Sequence, residues 1–209
     1  EEDAALLVLV GGCGRQAPVV ETLQVLGGET TIEIRGMPVE SARSAIAESS
    51  RQLGQLEREW HAWEPSDLTR INVAFAKGET AQAPASILQL IKRSQQLHGL
   101  TNGLYDPGVG GLVELWGFHT STFPVTTPAP SSAQVAAWRA SATSVMDISV
   151  KGDQVSSRNT ALALDFAAIA EGASAEQVSR LLRDKGVRHA LITMGGDVVA
   201  LGDGDGQPW

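Results

Sequence analysis

NGLYDPGVGGLVELWGF, residues 102–118, combines a turn, a carboxylate and several aromatic side chains. Asn102-Gly103 is typical of a turn with positive φ, and Pro107 prevents a helix from forming there. Asp106 is therefore expected on irregular backbone. A carboxylate held on such a loop among aromatic rings is suited to contact a small molecule. A surface turn followed by an apolar helix explains the pattern equally well.

The segments around this stretch alternate between strand and helix patterns. Residues 30–35 alternate with a period of two, which predicts a strand with Ile32 and Ile34 inward. Apolar residues at helical spacing predict a helix over about 41–59. A second helix is expected from Pro84 to about residue 97, with Gly99 ending it.

The second half of the chain continues the mixed pattern. Ser131 with Gln134 predicts a capped helix to about residue 142. A hairpin is expected where residues 145–150 and 154–157 flank a turn, followed by a helix over 167–185 and a buried strand over 187–193. This order favours an α+β fold in which helices pack on a mostly antiparallel sheet.

Composition limits the classes of protein to which the chain can belong. Its 209 residues, 43% of them hydrophobic, are enough to bury a core. A net charge of -8 argues against a nucleic-acid-binding surface, because no excess of lysine and arginine is present to neutralise phosphates. We therefore expect no nucleic-acid partner.

The single cysteine, Cys13, excludes an internal disulfide and follows an apolar run that ends in Gly11-Gly12. Small residues between an apolar segment and a cysteine are typical of a bacterial lipoprotein signal, which predicts lipidation of Cys13. Residues 1–18 are accordingly assigned as a signal-like segment and linker, and residues 19–209 as the folded domain. The alternative is an apolar N-terminal strand with an incidental cysteine.

A second informative stretch is LDFAAIAEG, residues 164–172, where a strand-like segment meets a helix. Its small alanines would let a ligand approach the backbone, and the first helical turn leaves N–H groups free for phosphate oxygens. Asp165 or Glu171 could accept hydrogen bonds from a nucleotide. An N-cap acid followed by a solvated helical glutamate explains the same residues.

Trp63 is the third candidate contact, since it lies with Trp60 at the end of the first long helix. An indole face that stacks on a flat heterocycle contributes roughly 0.5–1.5 kcal/mol beyond its buried area. The four histidines have no close metal-ligand spacing, so a zinc site is not expected. DGDG at 203–206 lacks the later acid of a calcium loop and predicts a turn.

Taken together, residues 102–118, 164–172, 194–197 and 206–209 occur in the order found in bacterial flavin transferases of the ApbE type, which the chain resembles over most of its length. The resemblance implies a T-fold-like α+β architecture and the activity of an FAD:protein FMN transferase. Such an enzyme depends on magnesium and moves FMN from FAD to a threonine hydroxyl of a partner protein, with release of AMP. Members are commonly periplasmic lipoproteins, so we expect a periplasmic protein held at the inner membrane through a lipid on Cys13.

The resemblance also assigns site residues. Trp63 corresponds to the aromatic residue that stacks on the flavin. The other implied FAD contacts are Leu104, Tyr105, Asp106, Asp165 and Glu171. Ala168 corresponds to a metal-ligand position, which here is possible only through its backbone carbonyl. Glu171 occupies a position that is often lysine in relatives.

The catalytic residues are not assigned, because the family's second half, which holds the remaining metal ligands, would follow Trp209. We therefore expect a sequence truncated at its C-terminus. Two alternatives to a transferase stay open: a flavin-binding lipoprotein that is catalytically incomplete, and a metal-dependent FAD pyrophosphatase that uses water instead of threonine.

Overall fold

The computed structural model describes residues 16–209, which form two antiparallel sheets with helices packed against them. The elements in chain order are β1 (Val19–Val25), β2 (Gly28–Arg35), α1 (Val39–Trp60), α2 (Asp67–Ala76), β3 (Ala81–Gln82), α3 (Ala85–Leu100), α4 (Gly110–Leu115), α5 (Ser132–Ala140), β4 (Ile148–Lys151), β5 (Gln154–Ser157), α6 (Ala167–Asp184), β6 (His189–Met194) and β7 (Asp197–Leu201). Every pair of strands described is antiparallel, so the predicted α+β class is confirmed. The lipidation predicted at Cys13 lies outside the described residues.

The larger sheet has the strand order β1-β2-β6-β7. Its centre pairs β2 with β6, so that Ile32 is opposite Ile192 and Ile34 is opposite Ala190. These four side chains are almost completely buried, as the period-two pattern of β2 predicts. Burial of each isoleucine contributes about 2–3 kcal/mol relative to an exposed position.

Helix α1 is shared between two buried clusters. Its earlier residues, such as Ile46 and Leu53, pack with the larger sheet and α6. Its last turns add Leu56 and Trp60 to a second cluster that includes side chains from α2, α3 and the smaller sheet, whose order is β3-β5-β4. Buried residues recur every three or four positions along α1, which confirms the predicted helix.

The strand predicted over 187–193 covers residues 189–194 instead. Three other boundaries that differ from the predictions lie at helix ends. Helix α3 continues through Gly99 to Leu100, and the positive φ of 80° falls instead on Gly103. Residues 145–147 form a 3-10 helix capped by Ser144, so β4 begins only at residue 148. Helix α5 ends at residue 140, two residues before the predicted end. Each difference arises where hydrogen bonds at a helix end, rather than the apolar pattern, set the boundary.

The positive φ predicted for Asn102-Gly103 is confirmed, with values of 51° and 80°. Both residues follow α3 and reverse the chain toward Asp106. Within residues 16–209, no helix has the length and hydrophobicity needed to cross a membrane.

Candidate ligand-binding site

Asp106 lies on the irregular backbone that the sequence predicts for it, and its carboxylate is surrounded by protein donors. It accepts hydrogen bonds from the Ser144 hydroxyl (2.7 Å), the Val145 N–H (2.9 Å) and the Gly108 N–H (2.8 Å). Nδ1 of His98 lies 2.9 Å from Oδ2, but its alignment is not that of a hydrogen bond. The carboxylate thus connects the loop after α3 to the start of the 3-10 helix.

Two backbone hydrogen bonds join this loop to the segment before α6. The Asp165 N–H donates to the Pro107 carbonyl, and the Gly110 N–H donates to the Ala163 carbonyl, each at 2.9 Å. A Cβ on Gly110 would lie 2.8 Å from the Ala163 oxygen, so only glycine permits this approach. The stretches 102–118 and 164–172, far apart in the sequence, therefore meet.

Asp165 is buried and held at the N-terminal end of α6. Its Oδ1 accepts from the Ala167 N–H at 2.8 Å, and its Oδ2 lies 3.1 Å from Nε2 of His119. Burial alone would raise the pKa of this carboxyl. The hydrogen bonds from His119 and Ala167 oppose that effect, and the pKa lies below its usual value of 3.8. Asp165 is thus an ionised acceptor.

The imidazole of His119 connects Asp165 to Trp63. The two rings are stacked, with centroids 5.5 Å apart and planes inclined by 20°. His61 contacts the same indole edge to face at 4.3 Å. The loop that carries Trp63 is fixed by Ser66, which caps α2 and also donates to the His61 carbonyl at 2.6 Å. Even so, 41% of Trp63 remains exposed, which leaves indole surface available to a ligand.

The other implied FAD contacts lie at separate places around α6 and α3. Leu104 is 93% exposed on the turn after α3. The Tyr105 hydroxyl is 3.1 Å from the hydroxyl of Ser94, and burial, with the charge of Asp106, raises its pKa above 10.0 against the opposing effect of that hydrogen bond. The carboxylate of Glu171 lies against Gly195, in the turn between β6 and β7.

The structure therefore brings some of the predicted residues together and leaves others apart. Trp63 and Asp165 share one cluster, and backbone hydrogen bonds connect that cluster to the Asp106 loop. Within the described chain, the rings of Tyr105, Trp116 and Phe118 make no ring contact with one another. The roles assigned to these residues toward FAD stay predictions.

His119 is the site residue that sequence reasoning missed. In the sequence it is a candidate only for a zinc ligand, and its spacing from the other histidines does not support that role. Its partners are 56 residues before it and 46 residues after it in the chain. The one available signal was its position directly after the aromatic run that ends at Phe118.

A magnesium site is not completed by the described residues. Ala168, the predicted ligand, is exposed on the first turn of α6. In a regular α-helix a carbonyl at this position accepts a hydrogen bond from the N–H four residues later. No group of three or more histidine, cysteine, aspartate or glutamate side chains in residues 16–209 is placed to hold a metal ion. Within this part of the chain, the residues do not fit the ion on their own.

The fold and the site together define a class of protein. An exposed indole lies beside an imidazole that a buried carboxylate orients, on an α+β scaffold, and such an indole offers a surface on which a flat ring can stack. Residues 26–209 match the family model described as the ApbE family. The chain belongs to the ApbE family.

Individual relatives agree with this assignment. The chain is 38% identical to an FAD:protein FMN transferase of Rhodobacter capsulatus, over 99% of this chain and 40% of that protein. It is 31% identical to one from Klebsiella pneumoniae strain 342, over 99% of this chain and 63% of the relative. The family is thus one of transferases, and the chain spans between two fifths and two thirds of these relatives' length.

Solved structures show the same fold. The Vibrio cholerae flavin transferase ApbE superposes with a TM-score of 0.81 at 26% identity, covering 94% of this chain and 63% of that one. The apo form of the Pseudomonas stutzeri flavinyl transferase ApbE gives a TM-score of 0.82 at 27% identity, with the same coverage. The ApbE-like architecture predicted from the sequence is confirmed.

Proposed function

We propose that this protein binds FAD and transfers its FMN part to a threonine hydroxyl of a partner protein, with release of AMP. The observation that carries the proposal is the cluster of Trp63, His119 and Asp165 in a chain of the ApbE family. The exposed indole supplies a surface for the flavin ring, and the ionised Asp165 fixes the neighbouring imidazole. Relatives named FAD:protein FMN transferase support the reaction.

The proposed reaction is a phosphoryl transfer. The threonine oxygen forms a bond to the phosphorus of the FMN part, and the pyrophosphate P–O bond breaks so that AMP leaves with the bridging oxygen. The threonine proton passes to a base. No side chain of residues 16–209 is assigned as that base.

Magnesium is part of the proposal through the family resemblance. When bound, a divalent cation neutralises the charge of the pyrophosphate. Ala168 alone does not make a site among the described residues, so a magnesium requirement implies further ligands. A comparison of FAD turnover with magnesium and with a chelator tests this part directly.

The transfer itself is tested by incubating the purified protein with FAD, magnesium and an extract of the source organism that contains the natural acceptor. Flavin fluorescence that survives denaturing electrophoresis, with FMN located on a threonine by mass spectrometry and AMP released, is the expected result. Free FMN and AMP without labelled protein would indicate a pyrophosphatase. Bound FAD that is recovered intact would indicate a flavin-binding protein without transfer activity.

A matched pair of tryptophan variants connects the activity to the site. Trp63→Ala should reduce labelling, because it removes the stacking surface. Trp209→Ala removes an indole of similar exposure that instead stacks on Arg35 and donates to the Gly202 carbonyl. This control should label the acceptor as the unmodified protein does. Equal loss in both variants would contradict the assignment of Trp63.

We also propose that the protein is anchored to the periplasmic face of the inner membrane through a lipid on Cys13. The proposal is supported by the apolar run Ala4–Val10 and the small residues before the cysteine. Incorporation of radiolabelled palmitate that is lost in Cys13→Ser would support the anchor. Absence of label from the unmodified protein would contradict it.

A further inference from the structure

The hydrogen bond between His119 and Asp165 fixes which nitrogen of the imidazole carries a proton. Asp165 is ionised, so its oxygens only accept, and the contact at 3.1 Å requires the proton on Nε2 of His119. In the neutral ring, Nδ1 is then an acceptor. The Ala167 N–H, which donates to the other oxygen of Asp165, keeps the carboxylate in place.

Nδ1 of His119 is available to a ligand. Among residues 16–209 it has no hydrogen-bond partner, and it is not fully buried. The side chain as a whole is 12% exposed. An acceptor that is held rigidly and left unpaired at the edge of a site is suited to recognise one N–H group of a ligand.

The stacking geometry determines which ligand group can reach this atom. The planes of His119 and Trp63 are inclined by only 20°. A flat ring that stacks beside the imidazole, on the same face of the indole, is therefore nearly coplanar with the imidazole. Its N–H groups and the lone pair of Nδ1 then lie in the same plane, which is the preferred alignment for a hydrogen bond.

We propose that His119 accepts a hydrogen bond from the imide N–H of the isoalloxazine ring, N3–H, and so orients the flavin on Trp63. This inference rests on the proposed function, since it takes FAD as the ligand. His119 is then a specificity-determining contact, and Asp165 is a positioning residue that acts through it. One neutral hydrogen bond of this kind changes affinity by about 5-fold to 10-fold.

The test compares the dissociation constants of FAD and of FAD methylated at N3, measured by quenching of flavin fluorescence. The unmodified protein should bind the methylated compound at least about 5-fold more weakly. Asp165→Asn keeps the shape of the site and the acceptor for Ala167, but it presents an amide donor to His119. The imidazole proton then moves to Nδ1, and the ratio of the two dissociation constants should fall toward one.

His119→Gln is a second variant, for use where Asp165→Asn does not fold. Glutamine can still donate to Asp165 but has no acceptor at the Nδ1 position, so the preference should again be lost. His189→Gln is the matched control. His189 also lies close to an aspartate, Asp203, but it is the first residue of β6, whereas Gly195 follows the last. It should retain the preference of the unmodified protein.

Two results would overturn the inference. Equal binding of FAD and its methylated analogue by the unmodified protein would do so, as would an unchanged preference in His119→Gln. Both results leave the proposed function in place, because FAD still binds. No binding of FAD by the unmodified protein would instead remove the proposed function and this inference together.

Discussion

Replacement of Asp106 by alanine should destabilise the protein by about 3 kcal/mol. The substitution leaves the buried N–H groups of Val145 and Gly108 without their acceptor, and each such group costs roughly 1–3 kcal/mol. The Ser144 hydroxyl also loses its 2.7 Å hydrogen bond to Asp106, but it can rotate toward another partner, so this loss adds less to the total cost. The total is a large part of the 5–15 kcal/mol that is typical of a folded domain.

Urea unfolding at pH 7, followed by tryptophan fluorescence and by circular dichroism, measures this change. Asp153→Ala is the matched control, because Asp153 accepts one exposed hydrogen bond from Gln82 at 2.7 Å. That variant should stay within about 0.5 kcal/mol of the unmodified protein. A loss of less than about 1 kcal/mol in Asp106→Ala would refute the assigned structural role. FAD affinity should also fall, since the loop connects to the Asp165 segment.

Three further predictions concern the same site. The pKa of Asp165 in the folded protein is below its usual 3.8. The ionised carboxylate therefore stabilises the fold above pH 3.8, and this contribution is lost as the pH falls through the lower folded value. Asp165→Asn should show a flatter dependence of the urea midpoint between about pH 5 and pH 3. Gly110→Ala places a Cβ 2.8 Å from the Ala163 oxygen and should lower the free energy of unfolding by about 1–3 kcal/mol. The midpoint of thermal unfolding should fall, and an unchanged midpoint would contradict the close approach. Trp63→Ala should weaken FAD binding about 5-fold to 30-fold in fluorescence titration and Trp63→Phe clearly less, whereas equal losses would argue against stacking.

The regular elements with strong periodicity could be predicted from sequence. β2, α1 and α6 follow their apolar patterns, and α5 begins at the capping box that Ser131 and Gln134 predict. α2 was not predicted, although Ser66 caps it and Leu68, Ile71 and Phe75 are buried at helical spacing. That signal was present in the sequence but was short.

Strand order could not be predicted in the same way. β2 pairs with β6, so that Thr30 is opposite Met194, and no local pattern specifies a partner so distant in the chain. The site has the same limitation. Asp165 and Trp63 were candidates for separate reasons, but the residue that joins them, His119, acquires its role only from the folded arrangement.

His119 lies outside the regular elements, on the segment between α4 and α5, whereas Trp63 follows the long helix α1 and Asp165 precedes the long helix α6. Surface connections tolerate changes of length and sequence at little cost to stability. A library that varies only residues 118–130 would therefore leave both buried clusters intact. The flavin contact proposed for His119 can therefore be varied separately from the residues that form the two buried clusters.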